Sequence, residues 1–445
     1  MMKRVAVPRR LLLGWRGAVV LAAAGAICVP AVLACWGQSG SATTWDGAVR
    51  DSAGIPIVEN FGTPMWREED SWEFTEVLRV GVLEGEPEYE FGRISGFVVL
   101  SDRRIVVADA MAHELRFFSP EGVHEMTLGR EGQGPGEFGD GLFYPTVGPG
   151  DTLLVFDRGN QRAQVIAPDG TWLDDYSTLP EDGHWFGMVL DAPPSGRLVT
   201  YHVPLRQSDG SLADSMDVLL ERDLRGAILD TVARIPTYMT SITPGGAGFY
   251  YGDMVDAALC KSGLVIGHNY TYRTVWYGSG GAIERIVTLP SERLPITEED
   301  RSVMLGRFDQ LLQEYNVPAD QAAQIKSGVR FVDHYPAYSQ FNCGPAGTLL
   351  MQRYRPLRRL SEEERSRIRT NLGRPPGALE WDVFDSEGRY LGVVVVPGTE
   401  WVAIVADLLF VQDQATGTWY MYSVWSDELE VQYVIGWRVD GPMPG

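Results

Sequence analysis

Apolar residues in this chain come in short runs, and five of those runs lead into a four-residue turn that closes on glycine. The turns read Ser119-Pro120-Glu121-Gly122, Ala167-Pro168-Asp169-Gly170, Asp223-Leu224-Arg225-Gly226, Gly278-Ser279-Gly280-Gly281 and Asp385-Ser386-Glu387-Gly388. Branched and aromatic residues precede each turn, at 115–118, 164–166, 218–220, 274–276 and 381–384. Such residues favour extended backbone, and a closing glycine supplies the positive φ of a tight turn. A second mark is a Gly-rich link. Gly85-Glu86-Pro87-Glu88-Tyr89-Glu90-Phe91-Gly92 aligns with Gly132-Gln133-Gly134-Pro135-Gly136-Glu137-Phe138-Gly139 at an offset of 47 residues. A third is an aliphatic position that opens a strand, at Ile105, Leu153, Leu198, Leu264 and Leu349, with steps of 48, 45, 66 and 85.

The long steps have visible causes. Residues 205–216 enlarge one hairpin. Residues 297–329 read as a helical insertion: Thr297 with Asp300 makes a capping-box start, and Val303, Leu305, Phe308, Leu311 and Leu312 supply an apolar face. Ser361 with Glu364 predicts a further short helix. A meander of short strands that recurs at this period cannot bury its apolar face alone and must stack on its neighbours. The pattern predicts an all-β fold, a six-bladed β-propeller with four-stranded blades. A sixth unit is incomplete, with strands expected at 401–405, 418–425 and 430–439. Its missing fourth strand matches 77–82, so an N-terminal strand is expected to close the ring and leave no open edge. The domain reading is 1–34 as a signal peptide of lipoprotein type, 35–54 as a flexible tether and 55–445 as the propeller.

Two segments carry a family resemblance. Val106-Val107-Ala108-Asp109 leads to the strand at 114–118, and Phe156-Asp157-Arg158-Gly159-Asn160-Gln161-Arg162-Ala163-Gln164-Val165 contains Asp-x-Gly-Asn-x-Arg. Both resemble the NHL-repeat-like propellers of bacterial envelope proteins. The last three units lack the Asp-Gly-Asn core. The resemblance implies a fold and not one activity: its relatives bind peptides and partners, and neighbouring propeller families include lactonases and lyases.

Charge narrows the partners. The net charge is −21, and it becomes −26 once the five positive charges of Lys3, Arg4, Arg9, Arg10 and Arg16 leave with residues 1–34. So acidic a body repels nucleic acid and anionic lipid. The N-terminal segment pairs those basic residues with an uncharged apolar run at 18–34, the pattern of an export signal. It ends Val32-Leu33-Ala34-Cys35, which resembles a lipobox, although Val32 and Leu33 depart from the usual pattern. The resemblance implies cleavage before Cys35 and acylation of its sulfur. The expected address is the cell envelope, as an outer-membrane lipoprotein or otherwise a secreted protein, touching membrane only through that lipid or anchor. Cys260 and Cys343 remain, at similar places in successive repeats. Export permits a disulfide, which needs Cα atoms within about 7 Å. Loops near the ring axis meet that condition and loops further out do not.

The candidate chemistry lies at one repeated position. The residue four beyond each aligned aliphatic is Asp109, Asp157, His202, His268 or Arg353. The turns that follow add Arg158, Asn160, Arg206, Asn269, Tyr270, Tyr272, Tyr354 and Arg355. From these, Asp109, Asp157, Arg158, Asn160, His202, His268, Tyr270 and Arg353 are the candidate ligand-binding set, on the loop face where binding residues gather. The plainer reading stands beside it: an Asp that opens a turn accepts backbone N–H groups, and a buried His is a hydrogen-bonded one. No metal is assigned, because no His-x-x-x-His or Asp-x-Asp-x-Asp-Gly run is present and second-strand ends lie too far apart for contacts of about 2 Å to one ion. No cofactor is expected: Gly132 to Gly136 lacks the Lys-Ser/Thr and the helix of a phosphate loop. The preferred reading is non-catalytic binding of a peptide, glycan or protein partner. The alternative is a metal-assisted lactonase or lyase-type enzyme. Mass analysis of the mature N-terminus after export tests the address: an acylated Cys35 is expected, and an unmodified protein released into the medium overturns it.

Overall fold

The computed structural model describes residues 44–179, 184–190, 198–205, 207, 211–236, 249–250, 255–278, 281–362, 365, 377–397, 408–427, 429 and 431–444. The chain opens with strands β1 (Gly47–Ser52), β2 (Ile55–Asn60) and β3 (Glu73–Val80). The first blade is β4 (Ile94–Val99), β5 (Ile105–Asp109), β6 (Glu114–Phe118) and β7 (His124–Leu128). The second is β8 (Phe143–Val147), β9 (Leu153–Asp157), β10 (Arg162–Ile166) and β11 (Trp172–Ser177). The third is β12 (His184–Leu190), β13 (Leu198–Pro204), β14 (Met216–Arg222) and β15 (Ile228–Pro236). After β16 (Phe249–Tyr250) comes the fourth, β17 (Val255–Cys260), β18 (Gly263–His268), β19 (Arg273–Tyr277) and β20 (Ile283–Thr288).

Helices α1 (Glu298–Glu314) and α2 (Ala319–Ser327) follow, then β21 (Arg330–Phe331), which pairs in parallel with β16. The fifth blade is β22 (Phe341–Cys343), β23 (Leu349–Tyr354), β24 (Gly377–Phe384) and β25 (Tyr390–Val395). The sixth joins β26 (Leu409–Gln412), β27 (Trp419–Ser426) and β28 (Gln432–Asp440) to β3 from the other end of the chain. The fold is an all-β six-bladed propeller with helical insertions. The capping box at Thr297 and Asp300 starts α1 as its sequence predicts.

An N-terminal strand closes the ring as the pattern expects, but it spans Glu73–Val80 rather than 77–82: β3 pairs antiparallel with β28, from Val80 opposite Val434 to Glu73 opposite Asp440. Two expectations change. Residues 47–52, assigned to the tether, form β1, and β2 lies parallel against β20, so the fourth sheet has six strands. Asn60 fixes this hairpin by donating to Thr288 O and Gly388 O and accepting from Tyr390 N. Polar, Gly-rich composition at 36–54 hid the strand because β1 needs only β2 as a template. In the sixth blade the first strand is β26; the strand expected at 401–405 lies outside the described residues, as does Glu364 of the helix expected from Ser361.

Core residues gather between blades and not within them. Val98, Val106, Leu115 and Phe117 of the first blade pack with Phe143, Leu153, Val155 and Ile166 of the second. Clusters of the same kind bridge each further pair, including Val80, Val424 and Val434 of the sixth with Ile94, Ile105 and Phe118 of the first. The five glycine turns explain how blades come this close. Each glycine has positive φ, and a Cβ on it would strike the fourth strand of the preceding blade's meander: at Gly170 it would stand 2.9 Å from Leu128 of β7.

Cys260 and Cys343 are bridged, with Cα atoms 5.2 Å apart. Each ends the innermost strand of its blade, where neighbours are nearest the axis. The bridge encloses the helical insertion, across a sequence separation of 83. Chain-entropy arguments give such a loop closure about 4.5 kcal/mol. Ring closure is testable by truncation. Loss of residues 44–62 removes β1 and β2 and lowers the melting temperature by a few degrees, on the order of 1–2 kcal/mol. Loss of 44–80 also removes β3 and abolishes cooperative unfolding. Equal melting of the two proteins rules this closure out.

Candidate functional site

In a meander of four antiparallel strands, the second-to-third hairpins and the links between blades emerge on one face. Asp109, Asp157 and His268 end β5, β9 and β18, and His202 and Arg353 stand just inside the ends of β13 and β23. The repeated position is therefore shared, but its side chains do different work.

Asp109 is fully buried and accepts backbone N–H groups from Gly92 at 2.9 Å, Arg93 at 3.0 Å, Met111 at 3.1 Å and Ala112 at 3.3 Å. Asp157 accepts from Gly139 N at 3.2 Å, Asn160 N at 3.1 Å and Asn160 Nδ2 at 2.7 Å. Gly92 and Gly139 are the aligned last residues of the two Gly-rich links, so each ring aspartate ties down the link that enters its own blade. A third-strand arginine completes the tie. Arg116 donates to Glu90 O at 2.7 Å, and Arg162 donates to Glu137 O at 2.9 Å and Gly134 O at 2.7 Å. Asn160 adds a bond to Gly132 O. Asp-x-Gly-Asn-x-Arg in this chain is wiring for the blade junction. Asp109, Asp157 and Asn160, singled out as ligand-binding candidates, spend these polar groups on the framework.

The fifth blade carries an ion pair at the same two positions with its charges exchanged. Arg353 makes paired bonds to Asp382 at 2.7 and 3.1 Å. Asp382 stands opposite Met351, two residues before Arg353, as Arg116 stands opposite Val107, two before Asp109. Tyr272 and Tyr390 donate their hydroxyls to the buried Asp382 at 2.7 and 2.8 Å. Burial, then the Asp382 charge, pushes the Tyr272 phenol well up. Burial opposes the charge on Arg353, but its bonds to Asp382 and that carboxylate's charge outweigh it and keep the guanidinium protonated.

The remaining candidates scatter. His202 is buried, with Nε2 2.8 Å from Thr200 Oγ1 and its ring edge-on to Phe186. His268 stacks with Tyr270, and Arg293 lies 4.2 Å over the Tyr270 ring. Arg158 is exposed. Arg206 lies outside the described residues. Among the described residues, no three His, Cys, Asp or Glu side chains converge as a metal requires. Two buried carboxylates from adjacent blades do act on one phenol. Tyr201 donates to Asp217, and burial, then the Asp217 bond and charge, then the Asp256 charge all raise its pKa.

A concave site lies elsewhere on the loop face, at the seam where the ring closes. A cleft of about 350 Å³ is lined by Val82, Leu83, Glu90, Phe91, Gly92, Leu429 and Val431. Leu83 and Leu429 are 54% and 68% exposed, and Met111, which packs beside Gly92, is 69% exposed. The sequence signal for this site was present but unused: aliphatic residues inside acidic loops, Leu83 before Glu84 and Leu429 after Asp427. Asp382 was missed because a lone acid within an apolar strand shows no partner until the sheet forms.

The framework role of the ring aspartates sets an expectation. Asp157→Ala leaves buried N–H groups without an acceptor and costs about 3 kcal/mol, whereas Arg158→Ala stays within about 0.5 kcal/mol. Urea unfolding checks both; a near-neutral Asp157→Ala overturns the wiring.

No protein-family model and no curated protein matches the chain. Among solved structures, a putative exported protein from Bacteroides fragilis is 12% identical with a TM-score of 0.46, covering 86% of this chain and 99% of its own. A member of a family of unknown function from Bacteroides vulgatus is 12% identical with a TM-score of 0.49, covering 84% and 100%. Virginiamycin B lyase from Staphylococcus aureus is 9% identical with a TM-score of 0.38, covering 82% and 99%. At such identities and TM-scores, the likeness carries no inference about activity.

Proposed function

We propose that this chain is a non-catalytic, envelope-tethered propeller that binds a cationic, apolar peptide or protein segment in the closure-seam cleft. The observation that carries the reading is the cleft itself: a concave site of mixed polar and apolar lining on the loop face, with Leu83 and Leu429 exposed beside Glu90. A rigid scaffold presents its binding residues from such loops, and apolar residues exposed together mark a contact surface. The link that forms the cleft also carries Glu84, Glu86, Glu88 and Glu90, and the whole chain is strongly acidic. Lysine or arginine beside an aliphatic anchor matches both features. The tether and lipid at Cys35 belong to the same reading, as does kinship to NHL-repeat propellers, which the Asp157, Asn160 and Arg162 wiring supports.

The catalytic alternative, a metal-assisted lactonase or lyase, has one observation in its favour, the convergence of Asp217 and Asp256 on Tyr201. A fluorescent peptide of alternating leucine and lysine separates the two. Binding is expected to fall as salt rises and to weaken at least tenfold in a Leu83→Ser/Leu429→Ser double variant, about 1.4 kcal/mol or more. Unchanged binding by the double variant overturns the cleft. Lactone hydrolysis that a chelator abolishes establishes the alternative.

A further inference from the structure

Residues 353–374 contain eight arginines (353, 355, 358, 359, 365, 367, 369 and 374) against three glutamates (362, 363 and 364), an excess of five positive charges in a chain whose total is −21. Solubility does not ask for this, because a net charge far from zero already provides it. Four of these arginines are gathered in one place, over the helical insertion on the loop side of the fifth blade. Arg358 donates to Asp300, which is fully buried, and to Pro295 O. Arg365 Nη2 donates to Arg358 O at 3.3 Å, and Arg355 Nη2 donates to Arg359 O at 3.4 Å. Arg293 comes in from the fourth blade's exit and donates to Tyr335 O and His334 O.

An aromatic pair packs beside this turn. Tyr335 and Tyr354 stack at 4.8 Å, and Tyr335 accepts the N–H of Leu357 through its hydroxyl. Leu357, Leu360, Tyr335, Met304 and Ile296 form the buried core beneath. Three guanidinium groups, Arg358, Arg293 and Arg359, bear on the Tyr354 phenol, which burial pushes up to about 12 against their charge. Arg358 is committed to α1 through Asp300. Arg359 is exposed, on a turn whose backbone is fixed by the Leu357 and Leu360 packing.

We propose that Arg359 and Arg355, with Arg293 at the rim, form a binding site for a compact anion that carries two or more oxyanion charges, phosphate- or carboxylate-bearing. Guanidinium forks pair with both oxyanions through two parallel bonds. The acidic body argues for compactness. Screening confines the patch's attraction to about 8 Å at physiological salt, so an extended polyanion would lie mostly over repulsive surface. This site is separate from the closure-seam cleft.

Calorimetric titration of the mature protein with pyrophosphate and with succinate tests the site and distinguishes the two anion chemistries. Saturable one-to-one binding of at least one is expected, weakening as salt rises. Arg359→Gln, an exposed change that leaves the melting temperature unaltered, should weaken it at least fivefold, and Arg359→Gln/Arg355→Gln at least twentyfold. Arg438→Gln on β28 and the Leu83→Ser/Leu429→Ser variant should leave it unchanged. No saturable binding of either anion overturns the site, as does equal binding by Arg359→Gln. Tighter binding of polyglutamate than of both small anions overturns the compact ligand.

Discussion

The structure depends on one pairing, β3 against β28, because it joins the two ends of a ring whose core lies between its parts. No blade owns a core. Val80 and Val434 sit in the cluster shared with Ile94, Ile105 and Phe118 of the first blade, so the closing strand supplies both a sheet edge and a core wall. The same pairing shapes the loop face. After Val80 the chain turns at Gly81, with φ of 129°, and runs straight into the link whose Val82, Leu83, Phe91 and Gly92 line the cleft. The cleft is a by-product of where the ring was joined: the link leaves β3, while the facing Leu429 and Val431 come from the hairpin before β28.

A second constraint governs the polar residues. Links between blades are irregular backbone held close to buried strands, and their N–H and C=O groups need partners. The ring aspartates supply acceptors and the third-strand arginines supply donors. Asp109 with Arg116 and Asp157 with Arg162 are two copies of one device, each ion held beside its counter-ion, at 3.4 and 3.7 Å. Arg353 with Asp382 inverts the signs and recruits two tyrosines. A buried charge is tolerated in each case because hydrogen bonds and an opposite charge answer it together. Three of the five ionisable residues at the repeated position, Asp109, Asp157 and Arg353, thus pair with a third-strand counter-ion.

The glycine turns show how far local pattern carries. All five were legible as tight turns, and their positive φ agrees. Their second purpose was not legible. Gly122 faces Leu78 and Val80, Gly226 faces Tyr176 and Gly388 faces Val287, each on the fourth strand of the preceding blade's meander. That contact joins residues tens of positions apart, so no local window contains it.

The sequence by itself determined the strand period, the glycine turns, the paired links, the helical insertion and the need for an N-terminal strand to fill the sixth blade. These rest on interactions within about 50 residues or on counting strands, and periodicity reports both. Tertiary structure alone decided the rest. It added β1 and β2 to the fourth blade, bridged Cys260 to Cys343 because inner strands meet near the axis, and turned Asp109, Asp157 and Asn160 inward onto backbone. It gathered Arg293 with Arg355, Arg358 and Arg359, and opened the cleft between Leu83 and Leu429. Each of these is a meeting of segments far apart in the chain, and a side chain's partners there are set by ring geometry rather than by its neighbours in sequence.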